Sequence, residues 1–132
     1  MEKKQYTILA VDDESDVLLI VKTALQAEGY RVLTSPDGPD ALKTASDENP
    51  DLVLLDVMMP GMDGFEVLEK LREQEATCKI PVIMLTGLSE RERKRSAIER
   101  GTKYYIVKPF DFQDLVSKVR LAIEDAESDT PF

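Results

Sequence analysis

The chain has 132 residues, of which 42% are hydrophobic and 33% are charged, and its formal net charge is −9. This size fits one domain with a single core, the composition is typical of a globular chain, and the negative charge argues against a general nucleic-acid binder. No apolar run is long enough to span a membrane, and the absence of histidine excludes His-based acid–base chemistry and His metal ligands.

Apolar runs bounded by turn residues predict five β-strands, each followed by a helical pattern. The predicted strands are Tyr6–Val11, Arg31–Ser35, Leu52–Asp56, Val82–Leu85 and Tyr104–Val107. The predicted helices begin at caps offered by Ser15 or Asp16, Asp63, Ser89 and Asp111, while Asp37-Gly38-Pro39 opens the second helix. The first and fourth helices end at Gly29 and Gly101. Strands that alternate with helices through short connections predict an α/β fold, in which a parallel sheet carries helices on both faces.

Polar side chains follow four of the predicted strands, at the point where each strand ends. Asp12 and Asp13 come after the first strand and Asp56 ends the third, while Thr86 and Lys108 follow the fourth and fifth strands. The carboxyl ends of parallel strands meet at one edge of a sheet, and ligands bind at that edge in open α/β folds. We therefore expect these five side chains to converge on one site.

The chemistry of this group favours a cation and a phosphoryl group. Three neighbouring carboxylates repel one another, so either a pKa rises or positive charge must offset the repulsion. Lys108 supplies one positive charge, and Mg²⁺ suits a site of carboxylate oxygens, whereas zinc is disfavoured because soft ligands are missing. A carboxylate can also act as a nucleophile toward a phosphoryl group, whose oxygens Thr86 and the Gly87 amide could bind.

Four motifs occur in order along the chain. They are Asp12-Asp13-Glu14, the segment LLDVMMPGMDG at Leu54–Gly64, Thr86-Gly87, and YIVKPF at Tyr105–Phe110. Together they resemble the receiver domains of the two-component response-regulator family, including its stand-alone chemotaxis-type members. The resemblance implies a (βα)5 flavodoxin-like, doubly wound, parallel five-stranded sheet in strand order 2-1-3-4-5. We expect a receiver domain over residues 1–124 and an acidic C-terminal tail over residues 125–132.

The resemblance also implies a phosphorelay function. Asp56 would accept a phosphoryl group from a phosphohistidine on a sensor histidine kinase or a histidine phosphotransfer protein. Asp13 and Asp56 would bind Mg²⁺ directly, together with the main-chain carbonyl of Met58, and Asp12 would act mostly through water. Because the chain has no histidine, the phosphodonor must be a separate protein.

The remaining roles implied by the resemblance concern the response to phosphorylation. Lys108 would pair with the phosphoryl oxygens, Thr86 would move toward them, and Tyr105 would turn inward. The peptide bond between Lys108 and Pro109 is expected to be cis. The face formed by the fourth helix, the fifth strand and the last helix would then bind a downstream effector or a dimer partner.

Two other functions are compatible with parts of the sequence. An aspartyl-phosphate hydrolase commonly carries a second aspartate two residues after its nucleophile, but this chain has Met58 there. A binding module that never uses phosphate would not need the complete acidic set. We therefore expect a signalling receiver that catalyses only its own phosphoryl transfer and dephosphorylation, without direct nucleic-acid or membrane contact. We expect it to be cytoplasmic, because no apolar signal segment follows Met1–Gln5.

Overall fold

A computed structural model describes residues 4–87 and 104–128, and within them five strands and four helices. These are β1 (Thr7–Val11), α1 (Ser15–Ala27), β2 (Arg31–Ser35), α2 (Gly38–Glu48), β3 (Leu52–Asp56), α3 (Gly64–Glu73), β4 (Val82–Thr86), β5 (Tyr104–Val107) and the C-terminal helix (Phe112–Ser128). All pairings are parallel and the sheet order is β2-β1-β3-β4-β5, which confirms the expected fold. The predicted helix at Ser89–Gly101 lies outside the described residues.

The sheet is covered on both faces by apolar side chains. Every residue of β3 and β4 is buried, and successive side chains of β3 enter opposite cores, with Leu54 on one side and Leu55 on the other. The first core also contains Val21 and Leu25 of α1 and Val119 of the C-terminal helix. This two-sided burial explains why β3 reads as a continuous apolar run rather than an alternating one.

The second core lies between the opposite face of the sheet and two helices. Its buried helical residues are Ala41 and Ala45 of α2 and Val67, Leu68 and Leu71 of α3. Full burial of a leucine side chain contributes on the order of 2 kcal/mol. α2 and α3 are therefore held against the sheet mainly by these apolar side chains. The edge at the carboxyl ends of the strands is then available for polar groups.

Two of the predicted helix caps, at Asp63 and Asp111, are confirmed, and Asp37 caps α2 as well. The Asp37 carboxylate accepts the N–H of Asp40 at 2.9 Å, and the Asp111 carboxylate accepts that of Asp114 at 2.7 Å. Asp63 and Glu66 form a capping box, in which each side chain accepts a hydrogen bond from the backbone of the other. Such caps satisfy backbone N–H groups that have no partner within a helix.

The predicted cap of α1 is wrong, since Glu14 is the N-cap rather than Ser15 or Asp16. The reason is Asp12, whose Oδ1 accepts the N–H of Glu14 at 2.9 Å and turns the chain one residue earlier. Two strand limits also differ by one residue: β1 begins at Thr7, and β4 includes Thr86, whose carbonyl accepts the N–H of Lys108 at 2.9 Å. This last bond extends the pairing between β4 and β5 to the edge where the site lies.

The C-terminal helix runs through Ser128, so it includes the first four residues of the segment assigned to the acidic tail. Two hydroxyl groups hold its last turns, because Tyr104 of β5 donates to Asp125 and Tyr6, just before β1, donates to Glu127. The boundary between domain and tail stays a prediction. None of the helices in residues 4–87 and 104–128 has the length and hydrophobicity that crossing a membrane requires.

Candidate functional site

The edge of the sheet at the carboxyl ends of the strands brings four of the predicted site residues together. One carboxylate oxygen each of Asp12, Asp13 and Asp56 lies within 4.8 Å of the others. Lys108 reaches this group from the end of β5, on the far side of β3 and β4 from Asp12. The strand order thus places residues that are 96 positions apart in direct contact.

Lys108 is the positive centre of the site. Its Nζ lies 2.7 Å from Oδ2 of Asp12 and 3.2 Å from Oδ1 of Asp56. A third carboxylate oxygen, Oε1 of Glu14, lies at 3.8 Å. The two nearer carboxylates are buried and Glu14 is exposed, so this ammonium neutralises charge inside the protein and at its surface at once.

Asp56 is held in an environment that opposes its ionisation. Burial, followed by the negative charge of Asp12, raises the pKa of Asp56 to about 6 from 3.8, against the opposing effects of Lys108 and of the Met58 N–H. Burial lowers the pKa of Lys108, but its hydrogen bond to Asp12 and the charge of Asp56 outweigh this effect and raise it. The carboxylate repulsion expected from the sequence is therefore only partly offset by Lys108, and a cation would complete the compensation.

The residues present fit a hard divalent cation. Three carboxylates from two strand ends offer oxygen ligands on one side, and the described site contains no sulfur or nitrogen ligand. Ligands on opposite sides of Mg²⁺ are about 4 Å apart, so only a small adjustment of these side chains would close them around one ion. Asp13 is exposed while Asp12 and Asp56 are buried, which leaves room for water or phosphate oxygens on the open side.

The other predicted site residues lie around this centre. Thr86 is buried at the end of β4, beside the Leu85 position that pairs with Asp56. Met58 donates its N–H to Oδ1 of Asp56 at 3.3 Å, and its side chain is 66% exposed. The role of the Met58 carbonyl as a metal ligand stays a prediction.

Tyr105 lies within β5. It pairs in register with Met84, packs against the second core, and its ring lies 5.9 Å from Nζ of Lys118. The peptide bond between Lys108 and Pro109 is cis, as expected. The inward turn expected of Tyr105 stays a prediction.

Sequence reasoning missed the role of Gly64. A Cβ added to this residue would lie 2.3 Å from the carbonyl oxygen of Asp56 and 2.9 Å from Cα of Val57. The Gly64 N–H also donates to the carbonyl of Val57 at 3.0 Å. The missed signal is that Gly64 directly follows the helix cap Asp63. No left-handed backbone is needed there, so the remaining reason for glycine is a close approach of another backbone segment.

The comparisons with known proteins agree with this geometry. A family model described as "Response regulator receiver domain" matches residues 8–120. The chain belongs to this family. Within it, a probable transcriptional regulator, ycf27 from Cyanophora paradoxa, is 40% identical over 130 residues, which cover 98% of this chain and 53% of the relative.

Two further members show the extent of the similarity. The alkaline phosphatase synthesis transcriptional regulatory protein PhoP of Bacillus subtilis is 39% identical over 99% of this chain and 52% of its own length. The crystal structure of a CheY-like receiver domain protein from Methanospirillum hungatei has a TM-score of 0.87 and 30% identity, and the match covers 96% of this chain and all of that one. The receiver thus spans about half the length of the curated relatives it matches.

Millimolar Mg²⁺ is expected to raise the melting temperature of this receiver, and to raise it more as the pH increases from about 5 to about 7. Over that range the ionised fraction of Asp56 grows from about one tenth to about nine tenths, so the apparent affinity for the cation should rise about tenfold. Calorimetric melting with and without Mg²⁺ at both pH values measures this. A melting temperature that Mg²⁺ does not change at the higher pH would contradict the metal site.

The metal-free protein is expected to respond to pH in the opposite sense. The pKa of Asp56 is higher in the folded state than its ordinary value of 3.8, so the folded state binds this proton more tightly. The contribution of Asp56 to stability therefore falls as the pH rises through about 4 to 6. In Asp56→Asn both pH effects should disappear, which makes this variant the control for the titration.

Proposed function

We propose that Asp56 is the phosphoacceptor of this receiver and takes its phosphoryl group from a phosphohistidine on a partner protein. An oxygen of the ionised carboxylate attacks phosphorus, and an oxygen–phosphorus bond forms as the phosphorus–nitrogen bond breaks. The imidazole nitrogen leaves with the electron pair of that bond and takes up a proton. One observation carries the proposal: Lys108 contacts both Asp12 and Asp56 within 3.2 Å, and Asp13 lies beside them.

The residues around Asp56 have separate tasks in this step. The Lys108 ammonium offsets the negative charge that the phosphoryl oxygens bring next to the buried Asp12 carboxylate. The hydroxyl of Thr86, at the end of the neighbouring strand, donates to a phosphoryl oxygen. Asp12, Asp13 and Asp56 would hold Mg²⁺, which would supply further positive charge to the phosphoryl oxygens.

The proposed partners follow from the same chemistry. Because residues 1–132 contain no histidine, the phosphohistidine lies outside this stretch, on a sensor histidine kinase or a histidine phosphotransfer protein. The names of the curated relatives describe transcriptional regulators, which supports an effector domain or a second receiver as the downstream partner. The net charge of −9 disfavours direct binding of nucleic acid by this chain. We propose that the chain acts in the cytoplasm. It binds its downstream partner at a surface that includes β5 and the C-terminal helix, and Tyr105 is the switch residue of that surface.

A role as a general phosphatase is disfavoured by the residue two positions after Asp56. Met58 offers an exposed thioether there, and a thioether cannot donate a proton to a leaving group. The chemistry we propose is therefore limited to phosphorylation and dephosphorylation of Asp56 itself. Repeated turnover of a simple phosphate ester by the purified chain would contradict this view.

Incubation with acetyl phosphate and Mg²⁺ is expected to add one phosphoryl group to the wild-type chain and none to Asp56→Asn. Intact-mass spectrometry, followed by peptide mapping, measures the addition and its position. Asp63→Asn is the matched control, because it removes a carboxylate from the same loop and asparagine caps a helix as well as aspartate does. Modification that persists in Asp56→Asn, or that is absent from the wild type, would overturn the assignment.

A further inference from the structure

Glu14 occupies a position where a different residue would serve the local structure better. It is the N-cap of α1, but its side chain makes no capping hydrogen bond. Serine, threonine, aspartate and asparagine are strongly preferred at this position, because their short side chains reach the free N–H groups of the first turn. A residue that departs from such a local preference beside a functional site is expected to have a second role.

The second role is visible in the contacts of Lys108. The Glu14 carboxylate lies 3.8 Å from Nζ of Lys108, although its side chain is 65% exposed and has solvent available. The backbone of Glu14 is fixed at the same time, since its N–H donates to Oδ1 of Asp12 at 2.9 Å. Asp12 therefore pairs with the Lys108 ammonium and also fixes the backbone of Glu14, whose carboxylate approaches the same ammonium.

We propose that Glu14 is a positioning residue that competes with the phosphoryl group for Lys108. The proposal rests on the function proposed above for Asp56. Before phosphorylation, Glu14 keeps Lys108 among the carboxylates of the site and adds a negative charge at its open side. When the phosphoryl group arrives, Lys108 must turn toward it against this attraction, and the phosphoryl oxygens meet the additional charge. Glu14 thus slows phosphorylation.

The same charge has the opposite effect on a cation. With Asp56 ionised, the four carboxylates and Lys108 give the site a formal charge of −3, of which Glu14 contributes one unit. A divalent ion is attracted by every one of these carboxylates, whereas an anionic phosphodonor is repelled by them. Glu14 therefore strengthens Mg²⁺ binding while it opposes the phosphoryl group, and these opposite signs distinguish its charge from a merely structural role.

The test uses Glu14→Gln and two quantities measured on the intact chain. Isothermal titration calorimetry gives the Mg²⁺ dissociation constant, and intact-mass spectrometry gives the initial rate of phosphorylation by acetyl phosphate at saturating Mg²⁺. Glu14→Gln is expected to weaken Mg²⁺ binding about threefold and to accelerate phosphorylation about threefold, since an exposed pair of charges contributes modestly. Both changes should shrink as salt is added.

Two further variants make the result specific. Glu14→Asp keeps the charge and should keep both quantities within about twofold of the wild type. Asp16→Asn removes a neighbouring exposed carboxylate from the same helix turn, where no ion pair with Lys108 is found among the described residues, and should change both less than Glu14→Gln does.

The outcomes separate this proposal from the one on which it rests. A wild-type chain that takes up no phosphoryl group overturns both. If the wild type is phosphorylated on Asp56 but Glu14→Gln matches Asp16→Asn in both quantities, the competition is refuted and the function of Asp56 stands. A Glu14→Gln chain that loses both Mg²⁺ affinity and phosphorylation rate also refutes the competition, because damage to the fold then explains the loss.

Discussion

Replacement of Lys108 by methionine is expected to lower the free energy of unfolding by about 2–4 kcal/mol near pH 7 without Mg²⁺. The variant leaves Asp12, which is fully buried, and Asp56 without their shared ammonium. Removing one partner of a buried ion pair costs about 3–5 kcal/mol, and we reduce this figure because Lys108 is 20% exposed and Asp56 can bind a proton instead.

The destabilisation should become smaller under two conditions. Near pH 5 the protonation of Asp56 removes part of the unpaired charge, and millimolar Mg²⁺ replaces the missing positive charge near pH 7. Urea denaturation of both proteins under the three conditions measures the differences. The matched control is Lys43→Met, which removes an exposed ion pair with Asp47 and should cost less than about 1 kcal/mol. Equal losses in the two variants would show that Lys108 does not compensate buried charge.

Substitution of Gly64 by alanine is expected to destabilise the fold by about 2–3 kcal/mol and to slow phosphorylation of Asp56 at least about tenfold. The new Cβ would lie 2.3 Å from the carbonyl oxygen of Asp56 and 3.0 Å from its carbonyl carbon. Neither atom belongs to a side chain that can rotate away, so either β3 or the start of α3 must move. The better helix propensity of alanine offsets only about 1 kcal/mol of this cost.

Gly87→Ala is the matched control for this substitution, because it makes the same chemical change beside Thr86. A Cβ at Gly87 would have no heavy atom within 4 Å, and its stability should therefore stay within about 1 kcal/mol of the wild type. Urea denaturation and the phosphorylation rate are measured for both variants. A Gly64→Ala chain with the stability and rate of Gly87→Ala would mean that the backbone around Asp56 tolerates displacement.

The strands and most of the helix caps follow from local physics that the sequence expresses directly. A run such as Leu52–Leu55 can be buried on both faces only in a covered parallel sheet, and this predicts both the strand and its polar end at Asp56. Asp63, just before the helical pattern of α3, predicts the cap of that helix in the same way. These signals involve residues within a few positions of one another, which explains why they could be recognised without the structure.

The distances within the site depend on the whole sheet, and local patterns do not contain them. Parallel topology predicts that Asp12, Asp56 and Lys108 lie at the same edge of the sheet. It does not predict that three carboxylates surround the Lys108 ammonium. The cap of α1 was predicted wrongly for the same reason, since Asp12 turns toward the N–H of Glu14 in a site that Lys108 also enters. Gly64 escaped notice because its neighbour, the Asp56 carbonyl, is eight positions away in the chain.

The edge position of β5 gives the contact between Lys108 and Asp12 a mechanical consequence. β5 has a single hydrogen-bonded neighbour, β4, at one border of the described sheet, whereas Asp12 follows an interior strand. The ion pair therefore links a border strand to an interior strand, across β3 and β4, which lie between them. An event that turns this ammonium away from Asp12 removes the link between β5 and the interior of the sheet. A change of charge at the site would then increase the mobility of β5, the strand that carries Tyr104 and Tyr105.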